Sequence, residues 1–125
     1  RTVFAAQFLG GANIIAGEAQ ADSVGSAVRT SFGVLRTARA ASGHVSLFVR
    51  PENVALVERG EGPNVFVCRV VSQRFLGDVR HLELQLPDGG PVLGCKTRTG
   101  ALSPDVAVTA FIDPRHVEVL REDAG

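Results

Sequence analysis

Apolar residues recur at every second position through most of this chain, the pattern of strands with one buried face. Val45, Leu47 and Val49 alternate with His44, Ser46 and Arg50. Leu82, Leu84 and Leu86 alternate in the same way with His81, Glu83 and Gln85. Asn13 to Ala19 predicts a first strand, and Val28, Phe32 and Val34 share one side of a segment whose other side carries Arg29 and Ser31. Val65 to Phe75 is apolar on both faces near its start, which predicts the most buried strand. Val106, Val108, Ala110 and Ile112 predict another strand, and Val117 and Val119 the last. Residues 2–9 break the rule. Phe4 and Phe8 lie one helical turn apart, with Ala5 and Leu9 beside them, so a short N-terminal helix ended by Gly10 and Gly11 is expected.

Small and polar stretches separate these segments. Residues 20–27 (AQADSVGS), 36–43 (RTARAASG) and 59–64 (RGEGPN) read as loops. Leu76-Gly77-Asp78 is a sharp turn, and Pro87-Asp88-Gly89-Gly90 a hairpin connection. About nine short strands and one short helix predict an all-β barrel or sandwich.

Two segments repeat. Residues 45–57 read VSLFVRPENVALV and residues 108–120 read VTAFIDPRHVEVL, so Val45/Val108, Phe48/Phe111, Pro51/Pro114 and Val54/Val117 coincide without gaps. In each, a proline fixes φ, cannot donate to a ladder and so closes the strand before a second apolar run. Arg50 and Glu52 flank the first proline, Asp113 and Arg115 the second, with opposite charge order. Two equivalent corners of one closed β structure are expected, with these four residues as a crossed set of ion pairs.

Composition narrows the function. Thirteen basic and thirteen acidic residues leave no net charge, so no global field favours nucleic acid or an anionic membrane. The aromatic residues are seven Phe with no Tyr or Trp, which argues against stacking platforms for nucleic acid. No apolar run reaches transmembrane length, and no signal-peptide pattern is present. Cys68 and Cys95 lack metal-site spacing and read as small buried hydrophobes of a reducing compartment, with a disulfide left open. His44, His81 and His116 fall on outward faces, and Glu52, Asp78 and Asp113 lie near turns where carboxylates cap backbone N–H groups. No nucleophile–base pairing, phosphate loop or dinucleotide fingerprint occurs, so neither catalysis nor a bound cofactor is expected. Lys96 and Arg98 share one face of a strand and form a small basic cluster suited to an oxyanion.

Four segments together resemble one family. FAAQFLGGANIIAGEA (4–19), FVRPENVALV (48–57), RFLGDVRHLELQLPDG (74–89) and FIDPRHVEVL (111–120) are similar, in order, to the C-terminal TOBE-type regulatory domain of ABC importer ATP-binding subunits. The resemblance implies an oligonucleotide/oligosaccharide-binding-like barrel with additional strands. It implies that residues 1–10 leave an absent nucleotide-binding domain and that 11–125 form the regulatory domain. The parent would be a transport ATPase of the maltose, polyamine, sulfate or ferric-iron kind, working as a homodimer with permease subunits at the cytoplasmic face of the inner membrane. ATP and Mg would bind the absent domain, and this part would regulate and dimerise, receiving in some members an inhibitory protein or the solute.

A second reading is a module that senses a small ligand or oxyanion through Lys96 and Arg98, with Arg50 or Arg115. Molybdate-binding relatives carry a Ser-Ala-Arg-Asn segment; GGANIIAG (10–17) keeps only Ala12, Asn13 and Gly17 of that pattern. Asn13 and Gly17 are therefore read as turn and bulge residues.

Overall fold

Pro51 and Pro114 each end a strand and open a single 3₁₀ turn, Pro51–Asn53 and Pro114–His116. In this computed structural model, which describes residues 6–9, 11–87, 91–98, 100, 102–103 and 105–123, those turns are the only helical elements among the described residues. Eleven strands make up the rest: β1 (Ala6–Leu9), β2 (Ala12–Asp22), β3 (Gly25–Thr30), β4 (Gly33–Thr37), β5 (Gly43–Val49), β6 (Val54–Val57), β7 (Val65–Leu76), β8 (Val79–Gln85), β9 (Val92–Thr97), β10 (Ala107–Ile112) and β11 (Glu118–Asp123). One sheet runs β11-β5-β2-β3-β4 with β1 added to β2, and the other runs β6-β10-β7-β8-β9. The all-β, barrel-like architecture expected from the sequence is what forms.

The repeated segments pair with each other. β5 pairs with β11 and β6 with β10, all antiparallel. The registers are reciprocal: Leu47 faces Val119 and Leu56 faces Ala110, while the repeat aligns Leu47 with Ala110 and Leu56 with Val119. A two-fold relation imposes this reciprocity. It extends beyond the repeat, because replacing each strand by its equivalent turns the first sheet order into the second. The halves are also swapped. β6 follows the first-half strands yet completes the second sheet, and β11 completes the first.

One core joins both sheets, with Ile15, Val28, Leu35 and Leu47 from one packed with Val54, Leu82, Leu84 and Ile112 from the other. Burial of these aliphatic side chains supplies the main driving force, at roughly 1.5–3 kcal/mol each.

Five local expectations are corrected. Ala6–Leu9 is a strand, not the end of a helix; residues 1–5 lie outside the described residues. Its partners run from Ala12 to Ile15, whereas β3 pairs only with Glu18 to Asp22, so β1 satisfies backbone that β3 leaves uncovered. The loop expected over 20–27 shrinks to a turn at Ser23 and Val24, where Asp22 Oδ1 accepts from the Val24 N–H at 3.0 Å. The segment from Val28 to Val34 is broken by a hairpin: Thr30 Oγ1 accepts from the Phe32 N–H and donates to the Gly33 carbonyl. Leu35 is therefore buried and Val34 exposed. β7 is not the most buried strand, since only Cys68 and Val70 are buried; among the described residues no layer covers its outer face. His81, expected outward and solvated, is only 4% exposed.

Candidate functional site

The two-fold relation brings together side chains that the sequence does not. Asn13 lies opposite Val49, and the Asn64 carbonyl accepts from the N–H of Ile112, the residue that the repeat aligns with Val49. Both asparagines are buried. The Asn13 amide donates to the Gly94 carbonyl at 2.9 Å and accepts from the Gly94 N–H at 2.7 Å. The Asn64 amide donates to the carbonyls of Arg36 and Ile112 and accepts from the Arg36 N–H at 2.6 Å. Gly94 is on β9 and Arg36 on β4, the outer strands of the two sheets. Each asparagine thus fastens the outer strand of the opposite sheet.

The next residues along those strands repeat the correspondence. Thr37 Oγ1 donates to the Val117 carbonyl at 2.7 Å, and Cys95 Sγ to the Val54 carbonyl at 3.1 Å. Val54 and Val117 are themselves equivalent. These bonds draw β9 towards β6 and β4 towards the second proline corner, so the second sheet curls until its ends meet and the first until β4 meets the corner that leads into β11. Cys68 and Cys95 are buried free thiols. Burial pushes Cys68 up to about 11; burial, then the neighbouring Cys68, pushes Cys95 up to about 12.

The charged corner residues are placed separately. Asp113 accepts from the Arg115 N–H at 2.9 Å and pairs with its guanidinium at 2.7 Å, all within one corner. These bonds, with the Arg115 side chain first among them, hold the Asp113 carboxyl down at about 2. Arg50 lies over the Phe48 ring, 5.1 Å from its centroid, and Glu52 is exposed in the first turn of the other corner. The crossed ion pairs therefore do not form. A two-residue reach within the 3₁₀ turn leaves the Asp113 oxygens already occupied. The two corners also pack on different outer strands, the first on β9 and the second on β4.

Lys96 is exposed on β9, directly opposite His81. Arg98 reaches Asp78 at 3.7 Å, with both side chains largely in solvent, so that pair contributes about 0–1 kcal/mol. His81 in turn faces Arg74 on β7, whose Nη2 lies 3.3 Å from His81 Nδ1. Burial, followed by the charge of Arg74, lowers the His81 pKa, so the neutral ring accepts this contact. Arg74 and Asn64 were not singled out from the sequence, and Asn13 and Gly17, read there as turn and bulge residues, lie instead inside β2. Asn64 follows Pro63 and Asn13 lies two residues past Gly11, so both resemble ordinary turn residues. Among the described residues no group of histidine, cysteine or carboxylate side chains is arranged to hold a metal ion, and no helix is long and apolar enough to cross a membrane.

Comparison with known proteins places this architecture. Over 94% of its length the chain is 31% identical to the spermidine/putrescine import ATP-binding protein PotA of Rubrobacter xylanophilus, of which it spans about a third (33%). Among solved structures it is similar to the cytoplasmic molybdate-binding protein ModG, with a TM-score of 0.62 at 16% identity, covering 94% of this chain and 90% of that one. At that identity the likeness concerns the fold. The TOBE domain model matches residues 47–120, which run from β5 through both proline corners into β11. On that match, which takes in the larger part of the chain, this protein belongs to the TOBE domain family.

Proposed function

We propose that this chain is the non-catalytic regulatory and dimerisation domain of an ABC importer ATP-binding subunit. The observation that carries the reading is the 31% identity to an import ATP-binding protein, sustained across 94% of the chain. Family membership and the ordered motifs at 4–19, 48–57, 74–89 and 111–120 support it independently. In this reading residues 1–10 lead from an ATP-binding domain and residues 11–125 form the regulatory barrel. The preceding domain holds ATP and Mg; this one holds two subunits together beside the permease at the cytoplasmic face of the membrane.

The swapped construction suits that work. Each sheet borrows a strand from the other half, so the halves cannot separate without breaking two ladders. A module built this way transmits force between subunits as one body. The test is ATP chemistry: the 125-residue chain should neither bind nor hydrolyse Mg-ATP, while the longer protein carrying it should do both. Turnover by the chain alone, or no Walker A segment in the longer protein, would contradict the reading.

A further inference from the structure

The internal two-fold gives each surface its own control, and one surface departs from its equivalent. The outer face of β7 presents Val67, Arg69, Val71, Arg74 and Leu76 in order, all exposed. A register shift between Val70 and Ser72 keeps Arg74 and Leu76 on that face beyond Val71. The equivalent face of β2 presents Ala16, Glu18, Gln20 and Asp22. There Glu18 pairs with Arg29 at 3.0 Å and Asp22 with Arg36 at 2.8 Å. On β7, neither Arg69 nor Arg74 has a carboxylate within ion-pair distance among the described residues, and neither does Lys96 across the sheet. Strands β7 to β9 carry Arg69, Arg74, Arg80 and Lys96 against the single acid Glu83, in a chain with no net charge.

Apolar exposure converges on the same place. Val67 is 60% exposed, Val71 42% and Leu76 43%. Shallow clefts open along the strip, one beside Val67, Arg69 and Ala107 and one at the shifted register around Val71 and Ser72. Exposed apolar area interleaved with unpaired cations is costly to leave in water and marks a contact surface.

We propose that the outer face of the β7–β8 hairpin docks an acidic amphipathic segment of a partner protein, whose carboxylates meet Arg69, Arg74 and Lys96 while its apolar side chains cover Val67, Val71 and Leu76. A second copy of this chain is a poor occupant: an isologous contact sets the cations against themselves. A head-to-tail contact meets Glu18 and Asp22, which are already paired. The strip is elongated, running about 30 Å along the strand at ~3.3 Å per residue. That shape suits a peptide segment laid along it, whereas a bilayer would engage the hairpin end alone. This surface would serve the regulatory role proposed above, yet a negative result here leaves the ATP test of that role untouched.

The experiment is selection from a random-peptide display library on the 125-residue chain, with the Arg69→Glu/Arg74→Glu variant as counter-target. Both substituted positions are exposed, and the variant should melt with the wild type. Enriched peptides should combine Asp or Glu with apolar residues and bind the variant roughly tenfold more weakly or worse. Phosphatidylserine vesicles and a single-stranded oligonucleotide serve as parallel probes and should not bind at physiological salt. Non-acidic binders, binders indifferent to the variant, no enrichment over it, or Arg-dependent binding to vesicles or oligonucleotide would each overturn the proposal.

Discussion

Asn64 holds Arg36 as Asn13 holds Gly94: a buried side-chain amide takes both the N–H and the C=O of an outer-strand residue in the opposite sheet. An amide reproduces the donor and acceptor of a peptide group, so each outer strand finds a ladder partner without another strand. That closes both edges to strand addition at these points, the hazard that free edges carry. It also ties the halves together twice, once at each end of the approximate two-fold.

Removing either amide leaves a buried N–H and C=O without partners, at about 1–3 kcal/mol per orphaned group. Asn13→Ala and Asn64→Ala should each lower the urea midpoint clearly. Asn64 has a positive φ of 67°, so Asn64→Gly should be less harmful than Asn64→Ala, because glycine relieves the backbone and only the hydrogen bonds are lost. Unchanged midpoints would show that the clamps are incidental.

The two thiols give an alkaline signature. Unfolded, they ionise near 9.0; folded, Cys68 waits until about 11 and Cys95 until about 12. The raised values mean that the stability is fully present below pH 9 and is lost as pH rises through about 11 and about 12, because the unfolded chain releases those protons first. Denaturation midpoints should fall over that window, and a Cys68→Ala/Cys95→Ala variant, though less stable at pH 7, should show a flatter decline. An equally steep decline in the variant would contradict this.

The corner carboxylate gives the opposite sign. Asp113 sits at about 2 against an ordinary 3.8, so its contribution is present above 3.8 and disappears as pH falls through 2. Carboxyl NMR should find Asp113 titrating at about 2, well below 3.8, and Arg115→Gln should return it most of the way to the ordinary range. The pair is exposed, so high salt should weaken the shift. An Asp113 that titrates normally in the wild type would break the account of this corner.

Gly17 offers a steric test. A Cβ there would lie 2.6 Å from both the Arg29 carbonyl oxygen and Val28 Cγ1, closer than real contacts allow. Gly17→Ala should cost about 1–3 kcal/mol, the usual penalty for overpacking. Its two-fold equivalent on β7 is Cys68, a buried side chain, so the restriction belongs to the first half alone. A neutral effect on thermal unfolding would contradict the close approach of β2 and β3.

Much of the fold was legible because alternation and proline act locally. Val45, Leu47 and Val49, and Leu82, Leu84 and Leu86, are buried as their spacing predicts, and Pro51 and Pro114 turn the chain where they should. The gapless repeat captured only β5, β6, β10 and β11. The remaining equivalences, such as Asn13 with Asn64 and Thr37 with Cys95, are separated by a hairpin that is longer in the second half, so no gapless alignment reveals them. Local reading failed where partners decide. Ala6–Leu9 is a strand because β2 offers it an edge, and β7 is exposed because none of the described residues covers its outer face. Of the candidate residues, Asp113 and Arg115 come together, but within one corner. Lys96 joins a row with Arg74 and the neutral His81 between them, which only the strand register brings together.

The central claim, that this TOBE domain is a dimerisation module, is tested most directly by sedimentation velocity of the 125-residue chain over a wide concentration range. The account predicts a reversible shift from monomer to dimer as concentration rises, retained in the Arg69→Glu/Arg74→Glu variant. A single monomeric species at every concentration would contradict it.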